Sequence, residues 1–177
     1  RKAGPPGGGK GAERRLTIPA SVCRRACCRY PFRCFVSESA MLDEASSIGP
    51  EEAESRDAEL EQMEFEIEFF EGVIERAPDF VEVLQVLGNH YTAVGRYEDG
   101  LVIDRRLVRL CPHDAVARYN LACSLSLTGR IEEAINELNE AVRLGYRDVR
   151  HMENDPDLAN LRHVPGYAEL VARLKRS

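Results

Sequence analysis

Four histidines, six cysteines and 30 carboxylates give this 177-residue chain its means of doing chemistry. Zinc binding needs paired ligands at short spacing, and general acid–base work needs an imidazole or carboxyl group in an apolar setting. His90, His113, His151 and His163 contain no His-x-x-x-His spacing, and Cys111 and His113 lie two apart with no second ligand pair. Cys23, Cys27, Cys28 and Cys34 follow C-x3-C-C-x5-C with no histidine near, so the paired knuckles of a zinc site are missing. The acids fall on helix faces, where carboxylates are solvated, and no pair of them sits in an apolar pattern. Gly4 to Lys10 matches G-x-x-x-x-G-K, the opening of a phosphate loop. Gly11 stands where that loop needs Ser or Thr, and neither a strand nor a helix pattern flanks it. The nucleophile-elbow, dinucleotide and metalloprotease motifs do not occur either. The expectation is a protein that is not an enzyme, with no cofactor and no metal.

Elements that could position any site belong to two unlike segments. Residues 1–40 hold nine Lys and Arg against Glu13 and Glu38, a charge of +7, whereas the other 137 residues hold 15 basic and 28 acidic side chains, a charge of -13. An acidic body argues against nucleic acid as a partner. No run of 18 apolar residues occurs, which argues against a membrane partner. Gly and Pro fill seven of the first eleven positions, a composition that cannot bury a face, so residues 1–50 read as disordered. The same Gly, Pro, Arg, Ala and Cys content is what GC-rich DNA yields when translated at random. Met41, the first Met, is the expected true start, with residues 1–40 not functional protein.

The body repeats itself. A shift of 34 residues takes Leu87-Gly88 to Leu121-Ala122, Gly95-Arg96 to Gly129-Arg130, Gly100 to Ala134, and Arg109-Leu110 to Arg143-Leu144. Leu84, Leu87, Gly88 and Tyr91 lie on one face of a helix, and Gly95 breaks it. A second helical pattern runs from Tyr97 through Leu101 and Leu107 to Pro112. The next unit repeats both patterns, with Leu121, Ala122 and Leu125, then Gly129, then Ile131 through Val142. Small residues at 88, 100, 122 and 134 allow the paired helices to approach closely. A helical hairpin of this kind cannot bury its face alone and must stack on neighbours.

Two such 34-residue hairpins resemble tetratricopeptide (TPR) repeats. The resemblance implies an all-α fold, a right-handed superhelix serving as a scaffold for protein binding. It implies a degenerate half repeat over 51–80, repeats over 81–114 and 115–148, and a capping segment over 149–177. Phe65, Phe69, Phe70, Val73 and Ile74 form the apolar face expected of the first helix, with Pro78 in register 34 before Pro112. The tail, with Leu-Gly-Tyr-Arg-Asp and then Asp-Pro-Asp-Leu, resembles the terminating segment of small bacterial TPR proteins. Asp104 stands where the family usually has an apolar residue.

In such a stack the first helix of each hairpin lines a concave groove. The residues expected to face it are Glu82, Gln85, Asn89 and Thr92 in one unit, then Tyr119, Asn120, Cys123 and Ser126 in the next. Asn89, Asn120 and Arg150 match three of the five positions of a carboxylate-gripping clamp found in some members, and Gln85 and Asn154 stand where its other basic residues would be. The expected partner is a protein or peptide, docked as a helix or extended segment, with no small-molecule substrate, in the cytoplasm. The competing expectation is an accessory or structural unit whose groove is filled by its own C-terminal tail.

Overall fold

The computed structural model describes residues 50–176. Expectations for residues 1–49, including the start at Met41, lie outside the described residues. Seven α-helices and one 3-10 helix follow in order: α1 (Pro50–Arg76), α2 (Val81–Ala93), α3 (Tyr97–Leu110), α4 (Ala115–Leu127), α5 (Ile131–Arg143), α6 (Val149–Asn154), the 3-10 helix (Pro156–Leu161) and α7 (Pro165–Leu174). Among the described residues there is no strand, and this part of the chain is all-α.

Helices α2 and α3 fall within residues 81–114, and α4 and α5 within 115–148. The turns inside both hairpins are built alike. Gly95 (φ 78°) and Gly129 (φ 73°) take the left-handed conformation that non-glycine residues avoid. Each turn then closes the helix end with two backbone bonds, Gly95 N–H to Thr92 O and Arg96 N–H to Tyr91 O in one, Gly129 N–H to Ser126 O and Arg130 N–H to Leu125 O in the other. Gly145 (φ 112°) repeats the arrangement after α5. The 34-residue echo in the sequence is therefore an echo of one helix-stop chemistry.

Consecutive helices pack pairwise from α1 to α5, and the 3-10 helix lies on α4. The small residues serve close approach, for a Cβ added at Gly88 would come within 3.3 Å of both Asp104 Oδ1 and Ile103 Cγ2. Two apolar clusters result. One joins Ile67 of α1 to Leu84, Leu87 and Tyr91 of α2 and to Ile103, Leu107 and Cys111. The other joins Leu121, Ala122 and Leu125 of α4 and Leu138 of α5 to Met152, Leu158, Leu161, Leu170 and Leu174. The C-terminal segment thus supplies core side chains in addition to its polar outer surface.

Helix α1 corrects the apolar stripe expected from sequence. Ile67 is buried and Phe70 and Ile74 are packed against that cluster, as a helix face requires. Phe65 and Phe69 lie on the opposite side, 66% and 60% exposed. An apolar count over one helix cannot distinguish one broad face from two opposed ones. The helix is also long: 27 residues, about 40 Å at 1.5 Å per residue, against 13 residues in α2.

Candidate interaction surface

Helix α4 begins where Asp114 caps it, its carboxylate accepting from the backbone N–H of Val116 (2.7 Å) and Ala117 (2.9 Å). That start places Tyr119, Cys123 and Ser126 on one stripe, at i, i+4 and i+7. The stripe does not face an open groove. All three side chains are buried, Tyr119 being only 3% exposed, which corrects the expectation that they line a peptide site. The physical reason is the C-terminal segment. Tyr119 donates its hydroxyl to Asp155 Oδ2 (2.6 Å) and stacks on Tyr146, with ring centroids 4.4 Å apart and planes 6° from parallel. The Cys123 thiol points at the same carboxylate oxygen (3.6 Å), and Asn160 Nδ2 donates to Ser126 O (2.9 Å).

Asp155 is the pivot of this contact. Its Oδ1 accepts from the Asp157 backbone N–H (3.0 Å), which starts the 3-10 helix, while its backbone O accepts from Arg162 (3.1 Å). His151 Nε2 lies 3.5 Å from Oδ2. Tyr167 of α7 closes the segment on itself by donating to Met152 O (2.6 Å). Burial holds the thiol of Cys123 well above its ordinary pKa, with the Asp155 charge adding to the effect. The Tyr119 phenol is raised strongly for the same first reason. Both groups are protonated donors and neither is an activated nucleophile.

The thiol of Cys123 and the carboxylates of Asp155 and Asp157 have ligand atoms within 4.8 Å of one another, a donor set that could in principle hold a metal. The bonds just described already use the Asp155 oxygens for helix capping and for tail docking. Burial lifts Asp157 to about 6, with the neighbouring Asp155 charge contributing. Beyond this cluster, Asp104 is buried and accepts from Ser124 Oγ (2.6 Å), and desolvation lifts it to about 7. Buried acids were not legible in the sequence: Asp104 on α3 and Asp155 at the start of the 3-10 helix are each enclosed by side chains distant in the chain, so no local apolar pattern marks them. The one hint was an acid at Asp104, a position the repeat pattern reserves for apolar residues.

The other expected groove residues keep access to solvent to different degrees. Glu82 and Arg150 are exposed, and Gln85, Asn89, Thr92 and Asn120 are half-buried. Asn89 donates one amide N–H to Gln85 O (2.6 Å), and Thr92 donates its hydroxyl to Gly88 O (3.2 Å), both within α2. An amide carries two N–H donors and a carbonyl, so Asn89 keeps capacity for a ligand backbone. Beside them, His90 Nε2 meets Glu66 Oε2 (2.6 Å) and Tyr91 donates to Glu71 Oε1 (2.5 Å), tying α2 to α1. Of the remaining histidines, His113 and His163 are exposed.

A scan against protein-family models finds no match. Two plant proteins, both from Arabidopsis thaliana, are similar to part of the chain. One, a chloroplastic protein, is 31% identical over 106 residues, which is 58% of this chain and 30% of that protein. The other, the TPR repeat-containing thioredoxin TTL4, is 37% identical over 62 residues, 35% of this chain and 9% of that protein. The chain therefore spans under a third of the length of either relative. Together with the all-helical hairpins, the likeness to a TPR repeat-containing protein supports TPR-like helical repeats. Among the described residues no helix is long and apolar enough to cross a membrane.

Proposed function

We propose that this chain is a non-catalytic protein-interaction module, a right-handed TPR-type superhelix that takes a peptide or helix of a protein partner along the concave side of α2. The reading needs no nucleic acid, membrane, cofactor or small-molecule substrate. The observation that carries it is the pair of matched hairpins whose first helices differ in occupancy. The stripe of α4 is filled by the chain's own tail, whereas Glu82, Gln85, Asn89 and Thr92 of α2 retain access to solvent. Half-buried amides on a rigid helix suit a peptide backbone, because each can donate and accept at once. Arg150, on α6 of the C-terminal segment, is exposed and would supply the positive charge of a carboxylate grip.

The test is capture of partners from native lysate on the full chain, followed by cross-linking mass spectrometry. Cross-links from a captured protein to α2, lost with Gln85→Ala/Asn89→Ala, are expected. Capture that is indifferent to this pair removes α2 as the site. The second reading, a structural or accessory unit with a self-filled groove, is favoured by the burial of Tyr119 beneath Asp155. It predicts that Asp155→Ala, which loosens the tail, raises partner binding. We propose the cytoplasm as the chain's compartment. The chloroplastic relative points to a plastid as the competing compartment, and fractionation with an antibody to the chain decides between them.

A further inference from the structure

Helix α1 carries two apolar stripes, and α2 uses only one. Ile67, Phe70 and Ile74 face the core, and His90 and Tyr91 of α2 hold Glu66 and Glu71 by hydrogen bonds. On the far side, Phe65, Phe69 and Gly72 follow the 4-then-3 spacing of a helix-pairing seam. Phe65 and Phe69 are exposed, and a Cβ added at Gly72 would meet nothing within 4 Å, so the backbone there is open to close approach. The 34-residue frame says what belongs on this side. Phe69 corresponds to Ile103 of α3, which is buried and lies against Gly88 of α2, the first helix of its hairpin. No described helix plays that part for α1.

We propose that this outer face of α1 docks a cationic amphipathic helix of a partner protein, which completes the hairpin that α1 begins. Charge selects the occupant. The helix holds eleven acids against Arg56 and Arg76. Glu61, Glu68 and Glu75 are exposed and follow the position beside the seam that sets partner choice in paired helices. A second copy would set these rows of glutamates against each other, whereas Lys or Arg on a partner would pair with them. The surface is also already ordered, because α2 fixes α1 from behind, so docking spends little on ordering the helix. The inference shares with the reading above only that the chain binds proteins; it uses a different surface.

The probe is a synthetic helical peptide with Leu along its seam and Lys at the flanking positions, titrated into the full chain by fluorescence polarisation. A Glu-flanked peptide of the same seam is the control. We expect the Lys peptide to bind, the Glu peptide not to bind, and affinity to fall about tenfold or more in Phe65→Ala/Phe69→Ala. Both phenylalanines are exposed, so an unchanged melting temperature accompanies the loss. Gln85→Ala/Asn89→Ala leaves this binding unchanged, which separates failure here from failure of the α2 site. Equal binding of the two peptides, binding that ignores the Phe pair, or no binding of the Lys peptide overturns the proposal. Sedimentation showing a dimer that the Phe pair abolishes assigns the face to a second copy. In the peptide-free chain, zero-length cross-links from Lys2 or Lys10 to Glu61 or Glu68 assign it to the chain's own basic segment. Either result overturns the proposal.

Discussion

Asp104 shows how one residue couples packing to pH. Its carboxyl is buried between α3 and α4, accepts a hydrogen bond from Ser124, and is raised to about 7, first by desolvation. An acid whose folded pKa is raised holds its proton more tightly folded than unfolded. Its contribution to stability is therefore greatest at low pH and is lost as pH climbs from the ordinary carboxylate value of about 3.9 through about 7. Asp157, raised to about 6, adds a loss in the same direction that is complete earlier. Urea midpoints should thus fall between about pH 4 and pH 7 and level off above that. Asp104→Asn keeps an oxygen for the Ser124 hydroxyl and should flatten that fall; an unaltered slope would place the titrating group elsewhere. Tyr119→Phe removes the donor to Asp155 and leaves a buried carboxylate one bond short, so it should cost about 1–3 kcal/mol in chemical denaturation. A neutral result would mean that Asp155 is held by its other donors alone.

The elements were readable wherever one chemistry repeats. Gly95 and Gly129 mark the two hairpin turns in the sequence, and the left-handed backbone at both is the reason they must be glycine. Gly129→Ala should lower stability by roughly 1–2 kcal/mol through that strain alone, since a Cβ there meets nothing within 4 Å. Leu121 is buried in the cluster that joins α4 to α5 and the tail, so Leu121→Ala should cost about 2–5 kcal/mol. A loss under about 1 kcal/mol would show that α4 buries another face. Where the pattern is not periodic, the sequence was less informative. Phe65 and Phe69 fit a helical spacing but sit on the wrong side, because spacing alone does not reveal which stripe of α1 meets α2. Tyr119, Cys123 and Ser126 were legible as a stripe of α4, yet what covers them comes from residues 146–160, whose docking follows no repeat.

At the scale of the molecule, two hairpins and a tail divide the surface by occupancy. The tail packs Met152, Leu158 and Leu161 into the same core as Leu121 and Leu138, and so belongs to the fold as much as to the cap. What remains outward is the α2 side and the acidic α1, and the first of these carries the central claim. Selection from a random-peptide display library against the full chain tests it most directly. Recovered peptides are then titrated against the wild type and against Gln85→Ala/Asn89→Ala. The expected peptides are ones whose affinity falls about tenfold or more in that variant while its melting temperature holds. Peptides that bind both proteins equally, or a library that yields none, would contradict it.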